Sequence, residues 1–89
     1  MQVPKLKVLV EAGVVREVAA SYQTDPAGWT VQVTYASRHG ERREVLDRQR
    51  GGVRVFATLD AVARGLAALG LPAFQVNATG LASAGEEPP

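Results

Sequence analysis

The stretch from Trp29 to Tyr35 constrains the fold more than any other segment of this chain. Trp29, Val31, Val33 and Tyr35 alternate without a slip with Thr30, Gln32 and Thr34. Side chains along a strand point alternately to its two faces. This order therefore puts four large apolar groups on one face and a threonine-rich row on the other. One face needs a cover and the other is wet, the usual condition of an antiparallel sheet. Ahead of this strand, Thr24 to Gly28 is a dense turn signal, with Asp25, Pro26 and Gly28 each suited to a bend. After it, Arg38 to Glu41 makes a second turn, and Arg42 to Leu46 returns as a charged strand fit for a sheet edge.

The flanking segments extend this pattern. Leu6, Val8 and Val10 alternate with Lys7 and Leu9, which predicts a short first strand turning at Gly13 into a hairpin. Its partner is Val14 to Tyr22, with Val14, Val18, Ala20 and Tyr22 on one face and Val15, Glu17, Ala19 and Ser21 on the other. Val53 to Phe56 is a short alternation. It leads into the one predicted helix, where Leu59, Val62, Ala63, Leu66 and Leu69 form an apolar stripe. Thr58 is its expected N-cap, Asp60 complements the dipole in its first turn, and Gly70 followed by Pro72 ends it. Gly65 inside the helix points to a close backbone approach. Ala73 to Ala78 reads as the last strand, with Phe74 and Val76 inward and Gln75 and Asn77 outward.

The fold class that uses these pieces is α+β: a small antiparallel β-sheet of four to six strands with one α-helix packed on one face. Its expected core is Val8, Val10, Trp29, Val31, Val33, Tyr35, Phe56, Leu59, Val62, Leu66, Leu69, Phe74 and Val76. With 89 residues there is material for one core and no elaborate cleft. The domain is expected over residues 1–79. Residues 80–89 are small, acidic or proline and are expected to form a disordered tail.

Several chemistries drop out on residue types alone. The chain has no cysteine, which removes disulfides, thiol nucleophiles and cysteine-held metals and fits a reducing, cytoplasmic setting. No stretch approaches the length of a membrane span, and a net charge of +1 sets up no global field toward nucleic acid or lipid. His39 is the only histidine. Arg38-His39-Gly40 matches the Arg-His-Gly string of histidine phosphatases, but that chemistry needs a second histidine, further arginines and a larger scaffold. Glu41 and Glu44 fall on opposite faces of one strand, so they do not complete a metal site with His39. Gly51-Gly52 has no Lys-Ser or Lys-Thr beside it and reads as a turn rather than a phosphate loop. No catalytic, cofactor-binding or metal-binding residue is expected, and no enzymatic activity.

Two features point to binding. Residues 38–54 carry six arginines against three acids, and every basic residue there is arginine, which recognises phosphate and carboxylate bidentately. Arg42, Arg43, Arg48, Arg50 and Arg54 are the candidate nucleic-acid contacts. The alternative is a solvated edge neutralised by Glu41, Glu44 and Asp47. The second feature is the helix surface carrying Ala61, Arg64, Gly65 and Ala68, where small groups stand in place of the usual Lys and Glu; it is the candidate surface for a protein partner or a second copy.

The segments Arg50 to Arg64 and Leu69 to Val76, within residues 6–78, resemble ParC-type plasmid partition accessory proteins. The resemblance rests on apolar positions, turns and a helix cap. It implies a plasmid or mobile-element protein that assists DNA segregation through protein partners, and it carries over no catalytic residue.

Overall fold

A computed structural model describes residues 1–84 of the chain. It begins with a helix, α1 (Val3–Glu11), and continues through β1 (Val15–Thr24), β2 (Ala27–Ser37) and β3 (Gly40–Val45). Then follow α2 (Leu59–Ala68), β4 (Gln75–Asn77) and α3 (Thr79–Ala84). The strands make one sheet in the order β3-β2-β1-β4. β1 pairs antiparallel with β2, and β2 antiparallel with β3, as two successive hairpins require. β4 joins the free edge of β1 in parallel, at Ala19–Gln75, Ala20–Val76 and Ser21–Asn77. The α+β class therefore holds with four strands, and the sheet is mixed because a long connection through β2, β3 and α2 carries the chain back to β1.

The central strand behaves as its alternation dictates. Trp29, Val31, Val33 and Tyr35 are all buried and pack with Val18 and Ala20 of β1, Leu6 of α1, and Val62 and Leu66 of α2 in one apolar cluster. The Tyr22 ring meets Trp29 edge-on at 5.2 Å. Gly28, at φ +152°, leaves room for Val55 and the Phe56 carbonyl, which any Cβ there would strike. That approach lets Trp29 and Phe56 exchange backbone bonds of 2.8 Å, fastening the 53–56 segment to the start of β2.

The largest departure from the sequence reading is at the start. Leu6 to Val10 is helix, not strand, and there is no hairpin at Gly13. Five alternating residues fit two periods. Val3, Leu6, Leu9 and Val10 also share one side of a helix, and Pro4 sits in the first turn, where its missing N–H costs nothing. Leu6 is fully buried, whereas Val8, expected in the core, is 63% exposed on the opposite side. Gly13, at φ +71°, ends the helix instead of turning a hairpin, with Gly13 N–H bonding Val10 O and Val14 N–H bonding Leu9 O.

β1 also departs locally. Val15 faces Tyr35 while Glu17 faces Thr34, so one extra residue at Arg16 shifts the register and returns Val15 to the core side. Val76, expected inward, is about half exposed on the short edge strand, and Phe74 is only half-buried. The tail expected from residue 80 holds α3 as far as Ala84. Gly80 lies so close to the Tyr22 carbonyl that a Cβ would not fit. The remainder of that expected tail, residues 85–89, lies outside the described residues.

Candidate interaction surfaces

β3 is an edge strand, and its alternation decides where Arg42 and Arg43 go. Arg42 stands opposite Tyr35 on the helix side of the sheet, and Arg43 opposite Thr34 on the uncovered side. Arg43 donates from Nε to Thr34 Oγ1 at 3.4 Å. It borders a hollow of about 200 Å³ with Glu17, Gln32, Thr34, Gln75 and Asn77, so the uncovered face is a shallow polar dish rather than a flat wet surface. The five candidate arginines therefore do not form a single row.

The other three do meet. After Leu46 the chain makes a closed loop, pinned at its base by the Asp47–Val53 bridge and by Arg54 N–H bonding Leu46 O at 3.0 Å. Within it, Arg48 N–H bonds Gly52 O at 2.8 Å and Gly51 N–H bonds Arg48 O at 3.2 Å. Gly51 and Gly52, at φ +90° and +76°, allow the reversal. The Arg48 side chain folds back to donate to Gly51 O at 3.2 Å, and the Arg54 guanidinium lies over the Phe56 ring at 4.6 Å. Arg48, Gln49, Arg50, Arg54 and Val55 surround a hollow of about 470 Å³.

Two of the three acids expected to neutralise this region, Glu44 and Asp47, are engaged elsewhere, while Glu41 stands on β3 opposite Ala36. Glu44 accepts from Lys5 Nζ at 2.8 Å and from the Tyr35 hydroxyl, and the Met1 amine lies 3.8 Å away. The Lys5 ammonium first, and the Tyr35 hydroxyl second, hold the Glu44 carboxyl below the usual carboxylate range. Glu44, and then Tyr35, in turn raise Lys5 above the usual lysine value. Asp47 pairs with the Met1 amine at 2.9 Å. Among the described residues, no ion pair involves Arg42, Arg43, Arg48, Arg50 or Arg54.

The helix surface divides as well. Arg64 is exposed and pairs with Asp60 at 3.1 Å, and Ala68 is exposed, but Ala61 and Gly65 are half-buried. A Cβ at Gly65 would lie 3.6 Å from the Phe56 ring, so an aromatic edge, not another backbone, uses the space that glycine leaves. Gly65 and Ala68 border an apolar groove of about 140 Å³ shared with Val3, Phe56 and Leu69, with Arg54 at its rim. His39 is exposed in the β2–β3 turn, where its N–H bonds Ser37 Oγ at 3.2 Å. Among the described residues no group of three His, Cys, Asp or Glu is placed to hold a metal ion, and no helix is long and apolar enough to cross a membrane.

The ParC-like family matches residues 1–84, which takes in every element from α1 to α3. The chain belongs to the ParC-like family. No curated protein and no solved structure matches it. The match is wider than the expected resemblance over 6–78 and includes α1. In this ParC-like chain α1 supplies what sequence reasoning missed: Val3 in the apolar groove, and Lys5 as the partner of Glu44. Pro4 in a first turn was the available signal for it.

Proposed function

We propose that this ParC-like protein is a non-enzymatic accessory of plasmid partition, acting in the cytoplasm by binding a protein partner or a second copy of itself. The observation that carries this reading is the family match across the whole described fold. The surfaces support it: a polar dish, an apolar groove between α1 and α2, and an arginine loop all lie open on a chain with a single compact core.

The test is retention of a low-copy plasmid that carries the coding sequence in its partition region. In-frame deletion is expected to raise plasmid loss per generation toward random segregation, with recovery when the gene is supplied elsewhere. Unchanged retention overturns the partition role. Light scattering of the purified protein, alone and with other proteins encoded by the same plasmid, checks the mode of action. A dimer or a defined complex is expected, and a strict monomer that joins none of them overturns the binding role.

A further inference from the structure

We propose that the loop from Asp47 to Arg54 grips the phosphodiester backbone of duplex DNA through Arg48, Arg50 and Arg54. This goes beyond an accessory role through protein partners and does not depend on it. All three arginines line one hollow, and no acidic residue lines it. Two of them are held in orientation before any ligand arrives, Arg48 by the Gly51 carbonyl and Arg54 by the Phe56 ring. The adjacent acid, Asp47, is drawn away by the Met1 amine, and Glu44 by Lys5. Planar forked donors without an internal anion suit phosphate oxygens.

The choice of duplex over single strand comes from what is missing beside the arginines. Single-strand binders stack bases on exposed aromatic rings. Trp29, Tyr35 and Phe56 are all buried here, and Tyr22 is occupied against Trp29. The fifth aromatic, Phe74, is half-buried and borders a hollow with Arg16, Val18 and Gln75, none of which belongs to the loop. Side chains that reach phosphates and not bases give position without sequence readout, so the binding is expected to be sequence-independent.

The measurement is titration of a fluorescently labelled random-sequence duplex across a salt series. The proteins compared are the parent, Arg50→Gln, Arg50→Gln/Arg54→Gln, and Arg64→Gln as a control on α2. Arg50 makes no hydrogen bond or ion pair among the described residues, so its replacement leaves the fold intact even where loss of Arg54 disturbs Phe56. Each loop arginine removed is expected to make the log–log salt slope shallower by about 0.9, while Arg64→Gln leaves it unchanged. Absence of duplex binding at the lowest salt overturns the proposal. So does an unchanged slope in Arg50→Gln, or an equal effect of Arg64→Gln, which marks net charge rather than a site. Two further arms use inorganic phosphate and vesicles of anionic lipid. Binding of either without binding of duplex also overturns it.

Discussion

The two long helices end in the same way and begin in different ways. At the C-terminus of α1, Gly13 and Val14 return their N–H groups to Val10 and Leu9; at that of α2, Gly70 and Leu71 return theirs to Ala67 and Leu66. Both are Schellman closures on a left-handed glycine. At the other end, Thr58 caps α2 by accepting from Ala61 N–H at 3.1 Å, whereas Gln2 gives α1 no side-chain cap. Gln2 instead donates to the carbonyls of Arg48 and Gln49 at 3.4 and 3.1 Å, and Met1 O accepts from Asp47 N–H at 2.6 Å. Thus both ends of α2 are closed by residues adjacent to it in sequence. The N-terminal end of α1 is instead held by residues more than forty positions away, and a local reading has no access to those.

The comparison breaks most sharply in the core. Leu6 and Leu66 are both essentially unexposed, one on each helix, in the same cluster. Leu6→Ala and Leu66→Ala are each expected to cost about 2–5 kcal/mol in urea unfolding, through lost burial and a residual cavity. A Leu6→Ala loss below about 1 kcal/mol would make α1 an appendage laid on a core that α2 and the sheet complete alone.

Smaller effects are expected at the closures. Gly13 has open space where a Cβ would go, and Gly70 has only Val10 Cγ1 at 3.6 Å, an ordinary contact. Strain from the positive φ therefore dominates at both sites. Gly13→Ala and Gly70→Ala are each expected to lower stability by about 1 kcal/mol, with asparagine milder at either place. Thermal unfolding of the four variants reads this out. A neutral Gly13→Ala would mean that α1 does not end in a left-handed residue, and the likeness of the two closures would fail.

These helices also show which parts of the molecule the sequence disclosed. Trp29 to Tyr35 and Leu59 to Leu69 each fit one period only, so burial and local caps agree, and the structure follows them. Leu6 to Val10 fits both periods, and what decides it is contact with the sheet and with the loop after β3. The parallel seat of β4 depends on a connection of some fifty residues, which no local pattern encodes. At the candidate site, the separation of Arg42 from Arg43 was legible, because it needs only the two-residue period already applied to Glu41 and Glu44. The freedom of the loop arginines was not, because it depends on Lys5 and Met1 drawing off Glu44 and Asp47, and so on α1 being a helix.

The finest contrast is electrostatic. α2 spends its charge on itself, in the Asp60–Arg64 pair one turn apart and largely exposed, an arrangement worth about 0.3–0.5 kcal/mol. α1 spends Lys5 on the sheet, where Glu44 also takes the Tyr35 hydroxyl and is only 28% exposed. Glu44 has its carboxyl held down in the folded protein, so its contribution is present above the ordinary value of 4.5 and is lost as pH falls through the lower folded value. Lys5 is held up, so its contribution is fully present below the ordinary 10.5 and is lost as pH rises through the higher folded value. Stability should therefore decline on the acid side below about pH 4.5, by no more than about 1 kcal/mol from this pair once solvent screening is counted. Glu44→Gln keeps an acceptor for Tyr35 but not the charge, and is expected to flatten that acid limb in urea unfolding measured from pH 3 to 7. Asp60→Asn, on the other helix, is expected to change stability by a few tenths of a kcal/mol at neutral pH. An acid limb of the same depth in Glu44→Gln would show that α1 is held to the sheet by packing and backbone tethers alone, with the Lys5–Glu44 pair adding nothing to its attachment.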